Sequence, residues 1–129
     1  MVIVESIISY LSDVFAATQN TPAVPVLWSK PESNTNPDVK TFILVDHTGG
    51  SRRDNLRHAA IAIQTYAPTA QEAAELAEEV LTAMDGLPGR DTITAADLNA
   101  GPYSFPITAT KQPRYQAVYE ITYRGETNA

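Results

Sequence analysis

Cysteine is absent from this 129-residue sequence. Its absence excludes disulfide bonds and catalysis by a thiolate, and it removes the residue that would indicate the redox compartment. Basic residues are also few, since nine Lys and Arg stand against fifteen Asp and Glu and give a net charge of −6. This acidic balance argues against general nucleic-acid binding and against attraction to anionic lipid.

Long hydrophobic runs are missing as well, so we expect no membrane-spanning segment. The apolar start MVIVESIISYL has no Lys or Arg before it and is interrupted by Glu5. No small-residue cleavage site follows it, so a signal peptide is not expected. The length fits one domain covering residues 1–129, and 43% hydrophobic and 19% charged residues are typical of a globular protein with a core.

The residue patterns of catalytic and metal sites are not found. His47 and His58 have no partner at metal-ligand spacing, and the adjacent Asp46 and His47 would point to opposite faces of a strand. Phosphate-binding glycine loops are missing, and Gly49-Gly50-Ser51 lacks the strand-to-helix setting of a nucleophile elbow. We therefore expect no catalytic residue, no cofactor and no metal.

The most regular stretch, residues 57–87, predicts a buried strand that leads directly into an amphipathic helix. Ala59–Tyr66 is a short apolar run, with one face formed by Ile61, Ile63 and Thr65. Thr69 and Glu72 then have the spacing of a capping box. An apolar stripe follows at helical spacing: Ala73, Leu76, Ala77, Val80, Met84 and Leu87. Gly86 predicts a left-handed stop for this helix.

The N-terminal third predicts a helix followed by a short edge strand. The helix would end near Thr18–Asn20, and its apolar side would be Val4, Ile7, Ile8, Leu11 and Val14 or Phe15. Val24–Trp28 fits a strand that Pro25 confines to a sheet edge. Trp28 either packs at the end of that strand or anchors a binding surface. Ser29–Asp38 reads as a polar loop.

Lys40–His47 predicts a strand that ends at a glycine turn, Thr48-Gly49-Gly50. The segment after it is the most basic in the chain and contains Arg52, Arg53 and Arg57. A glycine-rich tip that carries arginines can contact a carboxylate-rich partner or a phosphate backbone. A solvated hairpin loop is the alternative interpretation of the same residues.

The C-terminal third predicts strands of unequal regularity. Asp91–Thr94 fits a short strand and Ala95–Leu98 a turn. Tyr103–Ile107 alternates as a strand, but its proline favours an edge or a bulge. After a turn at Lys111–Arg114, the stretch Tyr115–Tyr123 alternates most regularly, with Tyr115, Ala117, Tyr119, Ile121 and Tyr123 on one face. The order α-β-β-β-α-β-β predicts an α+β domain with a mostly antiparallel sheet and two main helices on one face.

Two short motifs carry a resemblance to a known family: GPYSFP at residues 101–106 and PRYQ at residues 113–116. The sequence resembles the tail terminator, or tail-completion, proteins of long-tailed bacteriophages, particularly those of phages of actinobacteria. Those proteins have a GPYxFP segment, a short turn with acidic residues and glycine, and PRYQ at the start of the last strand. The resemblance extends to the N-terminal helix, the Gly-Gly pair and the Ala67-Pro68-Thr69 helix start, although Ile107–Lys111 departs from the family's turn.

The resemblance implies a non-enzymatic virion protein of the tail and neck, assembled in the host cytoplasm. Its subunits would form a hexameric ring that caps the head-proximal end of the tail tube and stops tube polymerisation. The implied partners are other copies of the chain, the tail tube protein and the head–tail connector or stopper protein. Phage DNA would pass through the lumen without sequence-specific binding, and no membrane would be involved.

Charged residues and glycines give the candidate contacts of such a ring. We expect the arginine-bearing loop to make an intersubunit or tube contact. Carboxylates on the wet face of the central helix in a neighbouring copy are the available complement. The candidate interface residues are Gly49, Gly50, Arg52, Arg53, Arg57, Glu72, Glu75, Glu79 and Arg114. Two other functions stay open: another neck subunit such as a stopper or connector, and a small ligand-binding or enzymatic α+β domain that uses the Tyr-rich face.

Overall fold

The structure is a computed structural model that describes residues 3–16, 24–27, 41–53, 56–90, 92–105 and 113–124, with the backbone alone at 51–53. Its elements follow the predicted order: α1 (Ile3–Val14), β1 (Val26–Leu27), β2 (Phe42–Arg53), β3 (Leu56–Tyr66), α2 (Ala70–Met84), β4 (Ile93–Ser104) and β5 (Arg114–Arg124). The prediction of an α+β domain with a mostly antiparallel sheet is confirmed.

The five strands form one sheet in the order β1-β2-β3-β5-β4. The short β1 runs parallel to β2, and the other neighbours are antiparallel. The last strand, β5, lies between β3 and β4 and pairs with β3 along its whole length, from Leu56 opposite Arg124 to Tyr66 opposite Arg114. The three long central strands therefore fix each other's register.

Both helices cover the same face of this sheet. The predicted alternation is confirmed, because the core contains Ile61 and Ile63 of β3 together with alternate residues of β5: Ala117, Tyr119 and Ile121. The predicted stripe of α2 is buried against them, and α1 adds Val4, Ile7 and Leu11. Fully burying one such side chain contributes about 1.5–3 kcal/mol, so this layer dominates the stability of the fold. Neither described helix has the length and apolarity needed to cross a membrane.

The start of α2 has the predicted N-cap. Thr69 has extended backbone angles, and its hydroxyl oxygen accepts a hydrogen bond from the Glu72 backbone N–H at 3.1 Å. The Glu72 carboxylate in turn accepts from the Thr69 hydroxyl, also at 3.1 Å, instead of reaching the backbone as the capping box predicts. The cap thus holds the first turn of α2 directly after β3.

The end of α2 differs from the prediction, because Gly86 does not take a left-handed conformation. Among the described glycines only Gly89 and Gly101 have positive φ. Instead, the Tyr10 hydroxyl donates to the Ala83 carbonyl oxygen at 2.7 Å and satisfies one of the last carbonyls of the helix. A Cβ atom at Gly86 would lie 2.6 Å from that hydroxyl oxygen, so a larger residue here would have to displace the end of the Tyr10 side chain.

The predicted N-terminal elements are longer than the observed ones. The first helix ends at Val14, not near Thr18–Asn20, because the Phe15 carbonyl oxygen accepts from the Val24 N–H at 3.1 Å. Of the two candidates, Phe15 packs against the core and Val14 is exposed. The strand predicted at Val24–Trp28 is reduced to Val26–Leu27 at the sheet edge. Trp28 and the predicted loop Ser29–Asp38 lie outside the described residues.

The prediction of a turn at Thr48-Gly49-Gly50 is wrong. Strand β2 continues through these residues to Arg53, with a bulge between His47 and Gly49, and β3 starts at Leu56 instead of Ala59. A bulge adds one residue without ending the pairing, and glycine suits it for the same reason that it suits a turn. The chain reverses direction between Arg53 and Leu56.

The turn predicted at Ala95–Leu98 is also wrong, because β4 runs without interruption from Ile93 to Ser104. Its pairing with β5 is irregular, with register shifts between Ile93 and Ala95 and twice more between Leu98 and Tyr103. The prediction that Tyr103–Ile107 belongs to an edge strand holds for Tyr103 and Ser104, and the residues from Pro106 to Gln112 lie outside the described part. Strand β5 is confirmed and extends one residue beyond the prediction at each end.

Candidate functional site

The predicted arginine-bearing loop is the end of a β-hairpin. Register pairs Arg52 with Arg57 and Arg53 with Leu56, so the three arginines lie on the last two rungs of the β2–β3 pair. The interpretation of Gly49 and Gly50 as the tip of the loop is therefore wrong, because both residues lie within β2. A β-hairpin holds these residues at defined places at one end of the sheet.

The two glycines behind the arginines have different environments. A Cβ atom at Gly50 would collide with the His58 carbonyl oxygen, whereas one at Gly49 would meet no atom within 4 Å. At the bulge before Gly49, the Thr48 hydroxyl donates a hydrogen bond across to the Ala60 carbonyl oxygen of β3 at 3.1 Å. Gly50 is thus needed for the close approach of β2 to β3, and it leaves a gap in the row of side chains.

Register places this gap on the face of the sheet that the helices cover. Gly50 pairs with the core residue Ala59, and Arg57 pairs with Tyr123, two positions along the same face. From position 46 to 50 the residues of β2 are exposed, so the helix layer ends before this part of the sheet. The result is an open groove of about 500 Å³, called here the glycine groove, lined by His47, Thr48, Gly49, Gly50, Arg57, His58 and Tyr123.

Arg57 is the cationic group of the glycine groove that has no partner in the described part of the chain. Its side chain is half-buried, and no hydrogen bond or ion pair with another described residue holds it. The His47 Nε2 donates to the Gly49 carbonyl oxygen at 2.8 Å. The His58 Nδ1 lies 3.2 Å from the Thr122 hydroxyl and 3.8 Å from the Glu120 carboxylate. The groove therefore has a positively charged wall that an anion can contact.

The predicted carboxylates form an exposed row on α2. Glu72, Glu75 and Glu79 follow the spacing i, i+3, i+7 and face away from the sheet, and we call this row the acidic face of α2. The helix contains no Lys or Arg. The ion pairs among the described residues, Arg90 with Asp13 and His58 with Glu120, do not involve the acidic face.

The hairpin arginines and the acidic face do not meet within one chain. Helix α2 starts beside Tyr66, at the end of β3 opposite to Arg57. Nine strand residues at about 3.3 Å each separate these two ends by about 30 Å. The helix then runs back toward the hairpin end, but its acidic face points away from the sheet and from the groove. No ion pair among the described residues joins the two surfaces.

Arg114, the remaining candidate, lies at the far end of the sheet and is engaged within the chain. Its Nε donates to the Phe105 carbonyl oxygen at 2.6 Å and one terminal nitrogen donates to the Tyr66 hydroxyl at 3.1 Å. The guanidinium also lies 4.5 Å from the centre of the Phe105 ring. Arg114 therefore fixes the end of β4 through contacts within the chain.

The two motifs that carry the family resemblance form one structural unit. Tyr103 pairs with Gln116 and Ser104 with Tyr115, so the GPYSFP segment lies beside PRYQ. The Gln116 side chain donates to the Tyr103 hydroxyl at 2.7 Å. Gly101 has φ +92°, a backbone conformation that favours glycine. A Cβ atom there would also lie 2.6 Å from the Gln116 carbonyl oxygen, so both the backbone angle and the close approach of β5 require glycine.

This unit continues across the sheet through residues that sequence reasoning missed. The Gln64 side chain donates to the Gln116 side chain at 2.8 Å and accepts from the Tyr66 hydroxyl at 2.7 Å. The Tyr66 ring stacks on Phe42 with ring centres 4.3 Å apart. The one signal in the sequence was a glutamine in the middle of each of two strands, on the face away from the helices.

Both edges of the sheet have long stretches without a strand partner in the described residues. On one side β1 covers only Ile43 and Leu44, so the outer edge of β2 is uncovered from Val45 to Arg53. On the other side the whole outer edge of β4 is uncovered, and it exposes Leu98 and Tyr103. Uncovered edges are templates for pairing with another chain.

Within the described ranges, no group of three or more His, Asp or Glu residues is arranged to hold a metal ion. Comparison of the sequence with models of known families and with curated proteins finds no match.

Proposed function

We propose that this chain is a structural subunit of a ring that closes the head-proximal end of a phage tail tube. The observation that carries the proposal is a pair of unlike sheet edges that no other described strand covers, β2 from Val45 to Arg53 and β4 from Ile93 to Ser104. An edge of one copy can pair with the different edge of the next. Contacts between two different surfaces of the same chain produce rings when the rotation closes.

Strand direction is compatible with such pairing. In the sheet β2 runs antiparallel to β3, β3 to β5, and β5 to β4, so β4 runs antiparallel to β2. Rotation about an axis along the strands preserves these directions, and β4 of one copy would meet β2 of the next as an antiparallel pair. The bulges in both strands limit the pairing to a specific register, which opposes indefinite aggregation.

The tail role rests on the resemblance to tail terminator proteins. Its two motifs, at 101–106 and 113–116, come together at the β4 edge, where Tyr103 and Phe105 are exposed. A shared motif at an uncovered edge suits a subunit or tube contact better than a catalytic role. The net charge of −6 would keep a DNA-conducting lumen from binding phosphate. The proposed partners are further copies of the chain, the tube protein and the head–tail connector.

Native mass spectrometry and negative-stain microscopy test the ring. We expect a species of about six times the 14.0 kDa chain mass and ring-shaped particles. Leu98→Lys places a charge on the β4 edge and should dissociate the ring while leaving the thermal transition of the subunit unchanged. Val14→Lys is the control, since Val14 is equally exposed but lies at the end of α1. A wild-type chain that stays monomeric, both alone and with tube protein, would contradict the proposal.

A further inference from the structure

We propose that the glycine groove of one copy binds the acidic face of α2 of a second copy. This contact rests on the proposed function, because it supplies a side-chain interface between neighbouring subunits. The contact has two halves. One is Arg57 with the gap above Gly50, and the other is the row Glu72, Glu75 and Glu79.

The groove half is formed by a missing side chain and an unpartnered charge. At Gly50 the strands approach so closely that no Cβ atom fits, which leaves a depression at the end of the helix layer. The Arg57 guanidinium stands at its wall, half-buried and without a partner among the described residues. A partly desolvated guanidinium forms its strongest hydrogen bonds with a carboxylate, often through two parallel N–H···O contacts.

The helix half is complementary in charge. Glu72, Glu75 and Glu79 extend over about 10 Å of a convex helix surface, at the rise of about 1.5 Å per residue. The helix carries no basic residue that could pair with them. A cation from outside the chain therefore stabilises this surface.

The two halves belong to different molecules. Within one chain the acidic face points away from the sheet, and no described ion pair links it to the hairpin. Because the groove and the acidic face are different surfaces, the contact is head-to-tail and repeats around a ring in one direction. This is the same connectivity that the uncovered strand edges allow.

A carboxylate fits this groove better than a nucleic-acid phosphate. The chain carries a net charge of −6, which repels a polyanion over the surface as a whole. A second copy carries the same net charge of −6. This charge is spread over a whole domain and is far less dense than that of duplex DNA, which has one negative charge per about 1.7 Å of helix axis. The copies are also present at high local concentration once a ring begins to form.

The experiment is a charge swap read out by sedimentation of the full chain. Arg57→Glu and Glu79→Arg should each weaken self-association at least about tenfold, with a larger effect at low salt. The double variant Arg57→Glu with Glu79→Arg restores opposite charges at every interface and should recover most of the association. Two controls stay near wild type: Arg124→Glu, at the same sheet end on the opposite face, and Glu78→Arg, beside the acidic face.

The outcomes separate this contact from the ring itself. Circular dichroism first establishes that each variant keeps the wild-type fold. If rings persist unchanged in Arg57→Glu, or if the double variant is no better than the singles, the groove contact is wrong and the ring proposal stands. If Arg57→Glu instead abolishes binding of a short DNA duplex and leaves association unchanged, the groove holds phosphate and the contact is also wrong. A chain that never associates overturns both proposals.

Discussion

Tyr119 carries a hydroxyl group into the core without a hydrogen-bond partner in the described structure. The residue is 2% exposed and lies between β5 and α2. Burial, with smaller contributions from the carboxylates of Asp85 and Glu78, raises the pKa of Tyr119 to about 12. A buried hydroxyl without a partner costs about 1–3 kcal/mol, so this residue lowers the stability of the fold.

We therefore expect Tyr119→Phe to raise the free energy of unfolding by about 1 kcal/mol at neutral pH. The substitution should also change the alkaline limb of the stability curve. Because the pKa of Tyr119 is about 12 in the folded chain and 10 in the unfolded chain, the hydroxyl ionises first in the unfolded chain. The stability that depends on Tyr119 is therefore fully present below pH 10 and is lost as the pH rises toward 12. The part due to Tyr119 is roughly 2–3 kcal/mol and should be missing in the variant.

Urea titrations of both proteins between pH 7 and pH 12 measure this difference. Tyr115→Phe is the control, because Tyr115 is partly exposed and should leave the alkaline limb unchanged. If wild type and Tyr119→Phe lose the same amount of stability between pH 10 and pH 12, the Tyr119 hydroxyl has a hydrogen-bond partner or reaches water.

The neighbouring Gly49 and Gly50 give a matched pair of substitutions. A Cβ atom at Gly50 collides with the backbone of His58, whereas the space around Gly49 is open. Gly50→Ala should destabilise the chain by about 1–3 kcal/mol through overpacking. Gly49→Ala should leave stability unchanged or raise it by up to about 1 kcal/mol, because it restricts the unfolded chain. Chemical denaturation measures both, and equal effects would contradict the observed register of the hairpin.

At the scale of elements, regular patterns were predictable and irregular strands were not. Burial on one face produces the apolar stripe of α2 and the alternation in β3 and β5. Both patterns are visible in the sequence alone. The bulged β2 was misread because glycine serves a bulge and a turn equally well. Strand β4 was misread because the Asp, Asn, Gly and Pro residues between positions 97 and 102 are typical of turns, and only pairing with β5 keeps them extended.

The same limit applies to the candidate surfaces. The row of glutamates on α2 follows directly from helical spacing. The glycine groove could not be predicted, because it depends on the register of β2 with β3 and of β3 with β5, which brings Gly50 and Tyr123 together. The internal role of Arg114 was missed for the same reason, since its partners Phe105 and Tyr66 are distant in sequence.

The register of α2 on the sheet gives a prediction at this scale. Val80 is 2% exposed beneath the helix, so Val80→Asp buries an unpaired charge and should prevent folding. Thr82→Asp, on the exposed face of the same helix, is the matched control and should fold normally. Thr69→Ala removes the N-cap and should cost about 1 kcal/mol. Circular dichroism and thermal melts measure all three, and a normal transition in Val80→Asp would mean that the helix packs through another face.

At the scale of the whole molecule, we propose that further copies of the chain contact the surfaces that its described residues leave uncovered. The uncovered β2 and β4 edges differ from each other, and so do the glycine groove and the acidic face of α2. Each pair would be joined by the same head-to-tail repeat. Such a subunit acts through the shape of its assembly, and its proposed task is to present one ring face to a tube and the other to a connector.

The most direct test of that task is the length distribution of tails assembled with and without this chain, measured by electron microscopy. With the chain present, the account predicts tubes of uniform length that join to heads. Without it, tubes should continue to polymerise beyond that length, should vary in length and should fail to join. Tails of uniform, normal length that join to heads in the absence of the chain would contradict the proposed function.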